Sequence, residues 1–176
     1  RIGGPYVPTD DKTATMLGEA QWNQLERQLC QPAEIRIVAS SIQCVAEAAG
    51  QETWSNLPHE RQRLFDLIAK THACGVLIIS GDRHWAELSV EDASAPYPIY
   101  DLTSSSLNQI HPRGTPTENR HRAALSTYHR ENYGVITIDW KRDDPQLTLQ
   151  ILDIDSKPRI KRTIRLSELH PPRKEN

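Results

Sequence analysis

The segment Gly75-Val-Leu-Ile-Ile-Ser80 constrains this chain more than any other. Apolar residues fill it without polar alternation, so a strand formed there needs cover on both faces, as strands of parallel sheets have. It runs directly into Gly81-Asp82-Arg83-His84. Upstream, Leu17, Trp22, Leu25 and Leu29 fall at helical spacing from Met16 until Pro32, and Glu34 to Ser40 reads as a short strand. A polar loop from Ser40 to Asn56 leads to a second helix starting near Pro58, a residue that a first helical turn tolerates. Glu60 suits the positive end of that helix, and Leu64, Phe65 and Ile68, with Leu67 alongside, form its inner stripe. Strand, helix and strand predict a βαβ crossover and a parallel sheet.

Beyond residue 95 the pattern changes. Tyr97–Thr103, Tyr133–Trp140, Gln146–Asp153 and Arg159–Leu166 read as strands. Leu147, Leu149 and Ile151 alternate with polar residues, as do Ile160, Ile164 and Leu166, with Arg162 the exception on that face. The connectors 141–145 and 154–158 are hairpin-sized, so this second part is expected to be an antiparallel meander. Residues 109–130 form a long polar excursion, and excursions of that length are usually functional or mobile. The expected class is α/β (α+β), one domain or half-domain over residues 1–176. Its parts are a loop at 1–15, a βα part at 16–95, antiparallel strands at 96–170 and a frayed tail at 171–176. Arg1-Ile-Gly-Gly-Pro-Tyr-Val-Pro reads like a loop inside a longer protein, so the chain is expected to be a fragment or a carboxyl half.

Composition removes several function classes. With 21 Lys and Arg against 23 Asp and Glu the net charge is −2, which argues against a dedicated nucleic-acid partner. The arginines between Arg113 and Arg130 lack the aromatic interleaving of single-strand binders. No apolar run is long enough for a membrane span. Cys30, Cys44 and Cys74 are odd in number and irregularly spaced, so neither a disulfide framework nor a zinc knuckle is expected. No targeting segment is legible, and the compartment stays open.

The chemistry concentrates after the apolar strand. Ligands bind at the carboxyl ends of parallel strands, where loops converge. Asp82 and His84 are two residues apart, so in an extended chain both side chains project to one side. A carboxylate with an imidazole suits zinc, iron or manganese. Gly81 allows a sharp turn, and Arg83 between them suits a phosphate oxygen. The plainer alternative is a strand-end turn with a hydrogen-bonded histidine. Two ligands do not hold a catalytic metal, which takes at least three from protein. Ser104-Ser-Ser106 lacks the flanking glycines of a nucleophile elbow.

Six segments, in order, carry a resemblance. They are Met16-Leu-Gly-Glu-Ala-Gln-Trp22 with Leu25-Glu26, Ser40-Ser-Ile-Gln43, Trp54-Ser-Asn-Leu-Pro-His-Glu-Arg61 and Ser80-Gly-Asp-Arg-His84, then Asp101-Leu-Thr-Ser-Ser-Ser-Leu-Asn108 and Asn132-Tyr-Gly-Val-Ile-Thr-Ile-Asp-Trp140. Over residues 12–168 the chain resembles the carboxyl-terminal half of the PhoD-like alkaline phosphatases and phosphodiesterases, within the calcineurin-like metallophosphatases. The resemblance implies part of a two-sheet αββα sandwich. It also implies hydrolysis of phosphate mono- or diesters by two bridged metal ions (iron, calcium, zinc or manganese). On that likeness Asp82 and His84 become metal ligands, with Arg83 supporting them or holding phosphate. Asn108 and Gln43 line the pocket, and Trp54, His59, Glu60 and Arg61 form its wall. Each of these has a structural alternative, as capping amides or helix-start packing, and Trp85 and Tyr133 read as sheet-packing aromatics.

The superfamily's remaining ligands lie upstream of the matched segment. Asp10-Asp11 lacks the preceding strand such a motif needs, and Ser40-Ser-Ile-Gln43 stands where many members place a histidine. This chain alone is therefore expected to hold half of a dinuclear site and to be inactive. Removing half of a sandwich exposes an apolar sheet face and a strand edge, so pairing with the missing upstream half or self-association is expected. The competing reading is a non-catalytic remnant that holds an anion through Arg83, Arg61 and the excursion. Members of the family are often exported, while this chain shows nothing either way.

Overall fold

The computed structural model describes residues 6–47, 50–110, 118–123 and 127–172. The outer parts of the expected loop and tail (1–5 and 173–176) and two stretches of the excursion (111–117 and 124–126) lie outside them. Helix α1 (Gly18–Leu29) and helix α2 (Pro58–Lys70) form where the apolar spacing places them, with proline in the first turn of α2. Strand β1 (Arg36–Ser40) pairs in parallel with β2 (Val76–Ser80), completing the βαβ unit. Trp22, Leu29, Leu64, Phe65 and Ile68 join Val76 and Ile78 in one core. At the entry to β2, Gly75 takes φ +67, and a Cβ there would meet the Glu34 carbonyl oxygen at 1.9 Å. Only glycine fits so close an approach.

Two strands depart from expectation. Strand β3 (Ala86–Glu91) forms where the periodicity shows none, and β4 (Ile99–Ser104) joins the first sheet instead of the meander. The first sheet runs β1-β2-β4-β3, with β4 parallel to β2 and antiparallel to β3. The β3 signal is hidden because Glu87, Ser89 and Glu91 are polar yet buried. Glu87 receives Gln43 Nε2 at 2.6 Å, Arg122 Nε at 2.9 Å and Asn119 Nδ2 at 3.2 Å. The described part of the excursion lies along β3, with backbone bonds Val90 N to His121 O and Ala123 N to Leu88 O, both 2.8 Å. It is paired backbone there, which covers that edge of the sheet.

Strands β5 (Asn132–Asp139), β6 (Gln146–Asp153) and β7 (Pro158–Arg165) make the antiparallel meander. In β6 every second side chain is buried, which places Leu147, Leu149 and Ile151 on the inner face. The second sheet packs on the β4 side of the first, where a Cβ at Gly134 would lie 3.5 Å from Leu102 Cδ2. On the β1 side of the same face, Ile37 and Ile79 remain exposed. No helix among the described residues is long and apolar enough to cross a membrane.

Two carboxylates fasten the loops around this frame. Glu60, at the start of α2, accepts Thr15 Oγ1 at 2.7 Å, the Met16 amide at 2.8 Å and Trp22 Nε1 at 2.9 Å. Trp22 in turn meets Trp54 edge-on at 6.0 Å. Asp101, in β4, is fully buried and accepts the Cys44 amide at 2.8 Å, the Val45 amide at 3.1 Å and Ser80 Oγ at 2.6 Å. Burial pushes the Asp101 carboxyl up from its ordinary value, against these donors. Asp101→Ala strands three buried donors and is expected to cost about 3 kcal/mol or more, read from the urea midpoint by tryptophan fluorescence. For Glu60, burial raises the carboxyl, but the bonds from Thr15, Met16 and Trp22 outweigh it and leave the group below its ordinary value. A depressed folded-state pKa contributes stability above the unfolded value and loses it as pH falls through the folded value. Glu60→Gln is therefore expected to flatten the loss of stability below about pH 4, measured by urea titrations across the acid range.

Candidate functional site

The link between β2 and β3 is a tight turn, Gly81 to Trp85, at the carboxyl end of β2. Its residues are not extended: Asp82 has φ 70 and His84 has φ 57. The expectation that both side chains project by strand alternation is corrected here. Each non-glycine residue in the left-handed region costs about 1–3 kcal/mol, and the surroundings must hold it there. The Arg83 amide bonds the Gly81 carbonyl at 2.9 Å, and the His84 amide donates to Ser105 Oγ at 2.7 Å. Ser105 donates in turn to the Trp85 carbonyl at 3.2 Å. The serine cluster after β4, unsuited to a nucleophile elbow, thus clasps the turn.

Asp82, Arg83 and His84 line a hollow of about 290 Å³ with Tyr6, Gly50, Gln51 and Glu52. The Asp82 side chain is 45% exposed. Arg83 is 6% exposed, lies 4.6 Å over the Trp85 ring, approaches Asp82 Oδ2 at 3.5 Å and donates to Gln51 Oε1. Burial pulls the Arg83 guanidinium below its ordinary value, opposed by Asp82, Glu87 and Glu52. Gln51 and Glu52 come from the polar loop before the short turn Trp54–Asn56, whose sequence has no periodicity to flag them.

The other expected site residues are dispersed. Gln43 is fully buried and donates to Glu87 and Thr103, so it cannot line an open pocket. Its neighbour Asp101 draws the Cys44 and Val45 amides inward, and the Gln43 amide follows into the sheet's polar interior. Arg61 is buried too. Its guanidinium bonds the Cys44 and Val45 carbonyls at 3.0 and 2.9 Å and Glu91 at 2.9 Å, and caps Phe65 at 5.0 Å. It borders a different, larger hollow of about 1090 Å³ with Glu47, Glu91, Arg120 and His121. Those carboxylates and carbonyls engage it, so it acts as a pin between α2 and β3 and not as a contact to Asp82 and His84. Trp54 and Glu60 pack at the helix start. Trp85 is buried at the end of the turn, just before β3.

Asn108 is exposed and lies along an apolar groove of about 730 Å³ with Gly81, Ser105, Ile79, Ile37 and Tyr133. The groove runs between the open face of β1 and β2 and the strand β5. It reaches the Asp82 turn only through Gly81 and Ser105. Tyr133, read as a packing aromatic, is 38% exposed and stands on its wall.

Comparisons with known proteins agree with this fold. A solved structure of PhoD superposes on 93% of this chain with a TM-score of 0.56 and 14% identity, and the chain covers 35% of its length. The shared feature is the fold. No curated protein matches by sequence. A model of the PhoD-like phosphatases matches residues 5–147, and the chain belongs to that family.

Proposed function

We propose that the parent protein hydrolyses phosphate mono- or diesters with bound metal ions, and that this chain supplies part of the site. The supporting observation is the turn after β2. It holds a carboxylate and an imidazole, both in left-handed backbone conformations, on one polar hollow beside a buried guanidinium. The donor types fit a borderline divalent or trivalent cation. The His84 ring makes no hydrogen bond among the described residues, which leaves its nitrogens available as donors. Among the described residues no three His, Cys, Asp or Glu side chains gather as a metal cage. Asp82 and His84 therefore fit as two ligands of a set completed from elsewhere.

When bound, such ions supply a nucleophile from water at neutral pH and offset charge on the phosphoryl oxygens. This chain's own residues do the rest. Asp82 and His84 offer an oxygen and a nitrogen from one turn, whose backbone Ser105 and the Gly81 carbonyl hold. Arg83 offers a rigid fork to phosphate oxygens. The open face of β1 and β2 would be covered by the further part of the fold that brings the missing ligands, or by a second copy. Among the described residues no strand pairs with the outer edge of β1. The second reading, a non-catalytic anion-binding remnant, draws on the two-donor count.

Elemental analysis after exposure to manganese separates the two readings. Asp82→Asn and His84→Ala are each expected to lower bound metal, and unchanged content in both would remove the metal reading. The chain alone, supplied with metal and a chromogenic phosphodiester, is expected to give background turnover, and robust turnover would overturn the partial site. In size-exclusion chromatography the chain is expected to elute larger than a monomer, because its apolar groove seeks cover.

A further inference from the structure

The guanidinium of Arg83 is buried with its hydrogen-bonding capacity only partly used. It is 6% exposed; Asp82 pairs with it at 3.5 Å from a side chain 45% exposed, and Glu87 and Glu52 favour its charge from farther away. Its Nε is buried and has no hydrogen-bond partner among the described residues. A charge taken out of water in this way is costly unless a counter-charge completes its hydrogen bonds. Two contacts nevertheless set its plane. Trp85 supports one face at 4.6 Å, and Gln51 Oε1 accepts from the terminal Nη2. Gln51 is itself steadied from behind, where Gly50 pairs with Tyr6 and accepts its amide at 3.2 Å.

We propose that the hollow between residues 50–52 and 82–84 is a phosphate-oxyanion subsite, in which Arg83 grips the anion and Gln51 is the positioning residue that aims it. This rests on the reading of the turn as part of a phosphohydrolase site. A neutral amide suits that role, because it accepts one N–H and so orients the fork, yet leaves the positive charge for the ligand. A carboxylate at the same place would neutralise it. Asp82 and Gln51 take one N–H from each terminal nitrogen, and the second N–H of each remains for an anion. Asp82 repels an anion while unliganded, so phosphate is expected to bind better when a cation occupies Asp82 and His84.

The test titrates inorganic phosphate into the chain with and without saturating manganese, following tryptophan fluorescence, with Trp85 beneath Arg83 as the reporter. Manganese binding is followed separately by electron paramagnetic resonance. Gln51→Ala is expected to weaken phosphate about tenfold, the worth of one hydrogen bond to a charged group, with manganese affinity unchanged. In an Arg83→Lys background the Gln51→Ala loss should vanish, because a residue that acts only through the guanidinium has nothing left to aim. Equal phosphate affinity in wild type and Gln51→Ala would overturn the proposal. Additive losses in the double variant, or loss of manganese together with phosphate, would do the same by showing a general structural role. Manganese binding without any phosphate binding in the wild type would sink the subsite and leave the metal reading standing; absence of both would remove both.

Discussion

A single buried carboxylate joins the strand ends on which the site is built. Asp101 sits on β4 with no access to water, so its oxygens must be met by protein donors. Those donors are the Cys44 and Val45 amides, from the loop after β1, and the Ser80 hydroxyl, from the last residue of β2. The loop after β1 is thereby folded back over the sheet, and the end of β2 is held where Gly81 begins its turn. Ser80 also bonds Thr103, Thr103 accepts from Gln43, and Gln43 reaches Glu87 on β3. Polar groups inside the sheet thus tie all the elements around the Asp82 turn into one unit. Such a network rigidifies when its members are satisfied.

The two faces and two edges of the first sheet are treated unequally. One edge, β3, is covered by backbone from residues 121–123 and 128, held by the Glu87–Arg122 pair. The other edge, β1, has no partner strand among the described residues. One face carries α1 and α2. The other is met by the meander only on its β4 half, and Ile37 and Ile79 face the groove on the remainder. An apolar surface next to an unpaired strand is what a larger sandwich leaves when only part of it is present. The 35% coverage of the PhoD structure fits that inequality.

Legibility in the sequence followed the physics of each element. The strand Val76–Ser80 was plain because burial on both faces demands an unbroken apolar run, and β6 was plain because burial on one face demands alternation. Strand β3 was not, because Glu87 and Glu91 are buried by partners 30 or more residues away, such as Arg61 and Arg122. No local pattern carries that information. The allocation of β4 depended on its pairing with β2, which the alternation of a single strand does not encode. At the site, Asp82 and His84 stood out by residue type and position. Their left-handed conformation did not, since it is imposed by Ser105 from another strand end. Gln51 and Glu52 had no signal beyond polarity.

The strain in the turn bears on what the turn is for. Glycine would occupy the positions of Asp82 and His84 without steric cost, and the chain places glycine at Gly75 where the backbone alone requires it. A carboxylate and an imidazole at two strained positions supply donor atoms that glycine lacks. Asp82 is exposed and approaches Arg83 at 3.5 Å, and the half-buried His84 makes no ring hydrogen bond among the described residues. Between them, Arg83 is buried with an Nε that has no hydrogen-bond partner among the described residues. The left-handed backbone is shared with His72 and Ser156, so what sets this turn apart is an exposed carboxylate and a buried, partly bonded guanidinium on one hollow. A ligand that bonds to Asp82, Arg83 and His84 would draw on them together, and the hollow they share with Gln51 and Glu52 is where it would sit.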